Sequence, residues 1–133
     1  MSLTINVIQL ESVNPRIEKI LFVEDDIETL ELVELILRNN GYAVIKAKRE
    51  VPFGEIAGIK PDLVLLDFML PFGLGTELCV AIKNHPVTRN IPVILHSASA
   101  NLKMFAEGCH ADAYLEKPFE LNKLVELVNQ SVR

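Results

Sequence analysis

Cysteine is scarce in this chain, with two in 133 residues, Cys79 and Cys109. Two thiols in a domain long enough to build a real core do not make a disulfide framework, so a reducing cytoplasm is the expected setting. Long apolar runs are missing as well. No segment approaches the roughly 20 apolar residues of a membrane span, and no membrane partner is expected. The N-terminus lacks a basic stretch followed by an apolar core and does not read as a secretory signal. Positive charge is scarce in the clustered form that nucleic acid requires. The net charge is −5, and the nearest thing to a basic cluster, Lys46, Lys48 and Arg49, is interrupted by Ala47 and closed by Glu50. Direct nucleic-acid binding by this chain alone is therefore not expected. There is no internal repeat and no low-complexity tract.

What is present is a globular composition, half hydrophobic and 23% charged, of a length that suits one core. Residues 1–16 read as an N-terminal extension, partly expression-derived or disordered, with Met1-Ser2-Leu3 resembling a scar. Residues 17–133 read as one folded domain. Arg133 ends the chain abruptly, as it would in a piece of a longer protein.

Five short apolar runs punctuate the domain: Ile20 to Val23, Tyr42 to Ile45, Leu63 to Leu66, Pro92 to Leu95 and Ala113 to Leu115. Runs this short and this apolar suit strands buried on both faces. Helical patterns lie between them. In 27–40, Leu30, Val33, Ile36 and Leu37 form one stripe, Leu32 and Leu35 fall off it toward solvent, and Gly41 is a stop signal. Residues 76–84 and 121–132 are also helix-like, while 51–60 and 101–107 support short helices at most. Alternating strands and helices imply an α/β fold, a three-layer doubly wound (βα)5 domain on a five-stranded parallel sheet. Ligands bind such sheets beyond the carboxyl ends of the strands.

The strand ends carry an unusual set of residues. Glu24, Asp25 and Asp26 follow the first run, Asp67 the third, Ser97 the fourth and Lys117 the fifth. In a parallel sheet all of them converge on one edge. Carboxylates suit a hard cation such as Mg2+. An Asp carboxylate can act as a nucleophile that carries a phosphoryl group, whose oxygens then need positive charge and donors. Each residue also has an ordinary role. Asp25 or Asp26 can cap the helix beginning near Ile27, with Glu28 and Glu31 favouring its N-terminus. Asp67 can be a turn residue, Ser97 a loop hydroxyl, and Lys117 a solvated strand end. The functional reading rests on four ordinary explanations falling together on one edge.

With these residues in place, the sequence resembles the CheY-like receiver family over residues 17–133. Ile20 through Asp26 is similar to its first-strand acidic motif. Leu63 through Pro71, with Gly75, resembles its phosphoacceptor strand and loop. Pro92 through Ala98 resembles its switch-hydroxyl strand, and Ala111 through Phe119 its closing strand. The resemblance implies a flavodoxin-like strand order 2-1-3-4-5 and Mg2+ as cofactor, and makes Asp67 the phosphoacceptor. It further implies Glu24, Asp25, Asp67 and the Met69 backbone carbonyl as the metal-binding set, with Asp25 the direct ligand and Glu24 acting through water. Lys117 becomes the phosphate-binding lysine, Ser97 and Tyr114 the switch pair, and Pro118 the proline whose preceding peptide is usually cis. The implied partners are a histidine kinase or phosphotransfer protein upstream, and a protein target or fused output domain downstream. The implied role is a signalling phosphoacceptor that catalyses only its own phosphorylation and dephosphorylation, not an enzyme. A homodimer is left open.

Two departures stand out. Glu24 is longer than the Asp often found there. Ser97 and Lys117 stand 20 positions apart, shorter than the family's usual connection by about half a helical turn, and the deficit falls in residues 98–110. Three rivals fit less well. A phosphatase of the haloacid-dehalogenase type needs a second Asp at position 69, which is Met. A flavodoxin-like nucleotide binder needs a Gly- or Ser/Thr-rich first loop, which is acidic here. A degenerate receiver would lack part of the acidic, hydroxyl and lysine set. His85, His96 and His110 lack metal-ligand spacing, and structural or solvated roles are expected for all three. On the ordinary view, Tyr114 and Phe119 are core aromatics.

Overall fold

The short apolar runs form strands because side chains on both of their faces find apolar partners. In the computed structural model, β1 (Lys19–Val23), β2 (Ala43–Ala47), β3 (Leu63–Asp67), β4 (Val93–Ser97) and β5 (Ala113–Glu116) join one parallel sheet in the order β2-β1-β3-β4-β5. This is the order 2-1-3-4-5. The structure describes residues 16–49, 51–67, 69–70, 73–98 and 100–132, with only the backbone described for Met69, Leu70, Gly73 and Leu74. Of the expected extension, residues 1–15 lie outside the described residues. Arg16 pairs through its guanidinium with the Asp62 carboxylate, which also accepts from the Lys19 backbone N–H at 2.7 Å.

Strand alternation sorts the core into two layers. Leu21, Val23, Val64, Leu66, Val93 and Leu95 point to one face. They meet Ile56 of α2 (Phe53–Ile59), Cys79 and Ile82 of α3 (Gly75–Lys83), and Leu102 and Ala106 of α4 (Leu102–Gly108). Ile20, Phe22, Leu63, Leu65 and Ile94 point to the other face. They meet Leu30, Val33 and Leu37 of α1 (Ile27–Asn39), and Leu124 and Val128 of α5 (Leu121–Ser131). The result is the expected three-layer α/β fold. Leu32 and Leu35 are exposed and Ile36 is half-buried, as their positions around α1 require. Both short helices form, at seven residues each. The sequence pattern does not reveal a two-residue antiparallel ladder, Met69–Leu70 with Gly73–Leu74, because so short a pairing has no periodicity to read.

The ends of α1 follow its local chemistry. Asp26 is the N-cap, and its side chain accepts from the Thr29 backbone N–H at 3.2 Å. At the other end Gly41 adopts φ +90°. Its N–H donates to Arg38 O at 3.0 Å, and the Tyr42 N–H donates to Leu37 O at 3.1 Å. This is a Schellman ending, which satisfies carbonyls the helix would otherwise leave open. A Cβ at residue 41 meets nothing within 4 Å, so a substitution there is opposed by backbone conformation alone. Gly41→Ala is therefore expected to lower unfolding free energy by about 1–2 kcal/mol. In urea the midpoint should fall with an unchanged slope.

Candidate functional site

Three strands deliver charge to one sheet edge. Register places Val23 beside Leu66 and Asp67 beside His96, so Glu24, just beyond β1, comes alongside the carboxyl ends of β3 and β4. Glu24 is 1% exposed and Asp67 is 5% exposed. Lys117 follows β5 and reaches back between them. Its Nζ donates to Glu24 Oε1 at 2.5 Å and to Asp67 Oδ2 at 3.0 Å. Its backbone N–H donates to Ser97 O at 2.9 Å, and the Lys117–Pro118 peptide is cis. The second Glu24 oxygen, Oε2, accepts from the backbone N–H groups of Asp25 (3.1 Å) and Asp26 (3.4 Å). Glu24 is thus held at both oxygens while buried.

The electrostatics follow from two buried carboxylates sharing one ammonium. Burial pushes the Glu24 carboxyl up to about 7, with the Asp67 charge adding to the effect and Lys117 opposing it. Burial works against the Lys117 ammonium too. Its hydrogen bonds to Glu24 and Asp67, and their charges, outweigh that and leave its pKa above the ordinary lysine value. The two directions agree physically. Lys117 has two acceptors and gains from both, whereas Glu24 has only a share of one cation. The pocket carries excess negative charge and oxygen donors, which is the setting a hard divalent cation fits.

The other expected site residues lie in or just after the strands that end at this edge. Ser97 is buried at the end of β4. Asp25 is exposed; Asp26 performs the capping role open to either of the two, and its carboxyl is held below the usual range by hydrogen bonds from Thr29. The Met69 backbone lies two residues beyond Asp67 in the short ladder. Tyr114 is 38% exposed, so it is not a core aromatic, while Phe119 is partly buried against the α1/α5 layer. Gly75 has a specific role that the sequence pattern did not disclose. A Cβ there would stand 2.1 Å from the Asp67 carbonyl oxygen, so only glycine lets α3 begin against the back of Asp67.

Of the two roles expected for His96, structural or solvated, the structure shows the structural one. It is fully buried, lies against Phe22 at 5.4 Å and Phe119 at 6.3 Å between ring centroids, and has no hydrogen-bond partner at either nitrogen among the described residues. Nδ1 is 3.9 Å from Glu24 Oε1. Donor atoms of Glu24, Asp67 and His96 all lie within 4.8 Å of one another. Burial, and then the charge of Lys117, hold the imidazole well below its ordinary pKa, so it is neutral. Leaving such a polar group unpaired costs about 1–3 kcal/mol. Alternation does put His96 on the face opposite Ser97, as the sequence implies. That opposite face is the one carrying Glu24 and Asp67, and only the β3–β4 register shows it.

This combination of fold and site defines a doubly wound α/β domain with an acid-and-lysine cluster at the switch edge of its sheet. A family model described as the response regulator receiver domain matches residues 20–129. The phosphate regulon transcriptional regulatory protein PhoB of Klebsiella pneumoniae is 33% identical over 118 residues, 86% of this chain and 52% of PhoB. A crystal structure assigned to a response regulator of Chloroflexus aurantiacus J-10-fl superposes with a TM-score of 0.82 at 32% identity, covering 88% of this chain and 98% of that one. A CheY-like response regulator receiver domain protein of Methanospirillum hungatei JF-1 superposes with a TM-score of 0.74 at 32% identity, covering 88% and 94%. The chain belongs to the response regulator receiver domain family of two-component signalling, and its fold is CheY-like. It spans about half the length of the curated relatives it matches.

Two outcomes follow from the site's construction. Glu24 has a folded pKa of about 7 against an ordinary 4.5, so between those values the folded state binds more protons than the unfolded state. Stability without metal should therefore fall as pH rises through this window, by up to about 3 kcal/mol. Urea unfolding at pH 5 and pH 7.5 should show the slope, and Glu24→Gln should flatten it. Gly75→Ala should force the Asp67 backbone and α3 apart, lowering stability by about 1–3 kcal/mol. Amide shifts of Asp67 and its neighbours should move with it.

Proposed function

We propose that this receiver domain accepts a phosphoryl group on Asp67 from the phosphohistidine of a histidine kinase or phosphotransfer protein, in a reaction that requires Mg2+. The observation that supports this most strongly is the Lys117 ammonium shared by Glu24 and Asp67 at the carboxyl edge of the sheet. An Asp67 oxygen bonds to phosphorus as the donor's phosphorus–nitrogen bond breaks and its imidazole leaves. Attack by water later releases phosphate and restores the carboxylate. The chain is a signalling phosphoacceptor acting on its own Asp67, not an enzyme with a separate substrate.

The Glu24, Asp25 and Asp67 carboxylates and the Met69 carbonyl form the metal set. All its donors are oxygen, and the two buried carboxylates outnumber the one ammonium that bridges them. Mg2+, when bound, neutralises charge developing on the phosphoryl oxygens. Lys117 transfers its hydrogen bonds to the phosphoryl group, and the Ser97 hydroxyl donates to it. As Ser97 moves inward, Tyr114 follows from its half-exposed position, and this repacking carries the signal.

The reporting surface comprises residues 98–110, of which 99 lies outside the described residues, with β5 and α5. A hollow of about 540 Å3 lined by Tyr114, Glu116, Pro118, Phe119 and Lys123 lies on it, and a protein target or fused output domain docks there. We assign no nucleic-acid contact to this chain: its net charge is −5, and two of the three basic residues around the end of β2 are paired, Lys46 with Glu34 at 2.8 Å and Arg49 with Glu55 at 2.6 Å. No helix among the described residues is long and apolar enough to cross a membrane. The free thiols of Cys79 and Cys109 suit a cytoplasmic setting.

Acetyl phosphate with Mg2+ should add one phosphoryl group to the wild type by intact mass, and none to Asp67→Ala. Lys117→Ala should retain Mg2+ binding but lose beryllofluoride binding by about tenfold or more. A wild type that stays unmodified, with rapid hydrolysis excluded by the beryllofluoride arm, would overturn the assignment.

A further inference from the structure

We propose that Glu24, Asp67 and His96 form a mixed oxygen–nitrogen site that takes a first-row transition cation, of which Zn2+ is the type, where oxygen donors alone would select Mg2+. The inference deepens the proposed function and rests on it for the identity of the pocket. Its motivation is separate: a buried imidazole with no hydrogen-bond partner among the described residues, its donor atom within 4.8 Å of those of two carboxylates.

An oxygen-only site has no use for a nitrogen donor. Imidazole suits zinc, copper, iron and nickel, whereas Mg2+ keeps to oxygen and to its own waters. His96 is fully buried and both its nitrogens lack partners among the described residues. The aromatic rings of Phe22 and Phe119 beside it offer no hydrogen-bond acceptor. An apolar side chain would satisfy that packing equally well, so the packing does not explain the histidine. The polar neighbour that does bear on it is Glu24, whose Oε1 is 3.9 Å from Nδ1. The donor atoms of all three residues already fall within 4.8 Å of one another. Tetrahedral zinc, with bonds of about 2.0–2.2 Å, places neighbouring ligand atoms about 3.4 Å apart. The donor atoms lie at most about 1.4 Å beyond that spacing. Three protein ligands leave a fourth position open.

Lys117 sets the condition for entry. Its ammonium occupies the space between the two carboxylates, so a metal ion has to displace one cation with another. Two carboxylates and a neutral imidazole balance the charge of a divalent ion, and Lys117 is then free to turn outward.

The test uses the whole chain, stripped of metal with a chelator. Co2+ serves as the optical probe and Zn2+ as the calorimetric one. Wild type should bind one equivalent of each in the pocket, with visible Co2+ bands of mixed nitrogen–oxygen coordination. The ring nitrogen resonances of His96 should shift when Zn2+ is added, a readout that needs no variant. H96L should bind Zn2+ at least about tenfold more weakly, and K117M should bind it more tightly because the competing cation is gone. Equal Zn2+ affinity in wild type and H96L, with unmoved His96 resonances, overturns the proposal and assigns any binding to the exposed His85 and His110. Mg2+-dependent beryllofluoride uptake by the wild type, measured in parallel, separates the two readings. Uptake without His96-dependent Zn2+ binding defeats this inference alone. A His96-dependent Zn2+ site without uptake supports it and defeats the phosphoacceptor reading.

Discussion

The ammonium of Lys117 lies between two carboxylates that have almost no access to water, and the chemistry of this domain turns on that contact. Glu24 follows the first strand, Asp67 ends the third and Lys117 follows the fifth. The contact therefore ties together three strands separated by long stretches of chain. It also leaves the pocket electrically unfinished. Removing ions from water is costly, and a single ammonium compensates two carboxylates only in part. The upward pull on Glu24 and the upward pull on Lys117 are two views of this imbalance. A divalent cation or a phosphoryl group would relieve it in different ways, and the proposed function draws on both.

The rest of the fold keeps this pocket in place. Two apolar layers clamp the sheet from both sides, so the strand ends have little freedom to move. Phe22 and Phe119 wall in His96 on the pocket side. On the other side of Asp67, α3 begins against its backbone, which it can do only because residue 75 has no Cβ. By contrast, the elements that would carry a signal are lightly built. Helix α4 has seven residues, and Tyr114 stands half out of the surface. A firmly packed floor under a lightly built rim suits the proposed role, in which charge is held in one place and reported in another.

Much of the fold was legible because burial on both faces leaves an unambiguous mark. Ile20 to Val23 and Leu63 to Leu66 have nowhere to go but the middle of a parallel sheet, and the spacing of Leu30, Val33 and Leu37 admits only one buried helix face. The site residues were legible by coincidence of position: Glu24, Asp67, Ser97 and Lys117 are individually ordinary, and gain meaning by ending strands that run the same way. The two-residue ladder at Met69 and Gly73 escaped because so brief a pairing has no period. Gly75 was visible as part of a motif, but its reason was not, since that depends on the distance to a carbonyl eight residues earlier.

His96 marks the boundary most clearly. Its sequence neighbours show that it faces away from Ser97, because strand side chains alternate. They do not show what shares its own face. That depends on the register between β3 and β4, which sets Asp67 beside His96, and on the register between β1 and β3, which brings Glu24 alongside. The sequence by itself determined the strands, the helices and the set of charges at the sheet edge, because these follow from local pattern and from the direction of the chain. Tertiary structure alone decided that Lys117 bridges Glu24 and Asp67, that Asp26 caps while Asp25 stays exposed, and that a histidine joins the acids. Those are matters of side-chain reach and strand register, set by the packing of the whole molecule.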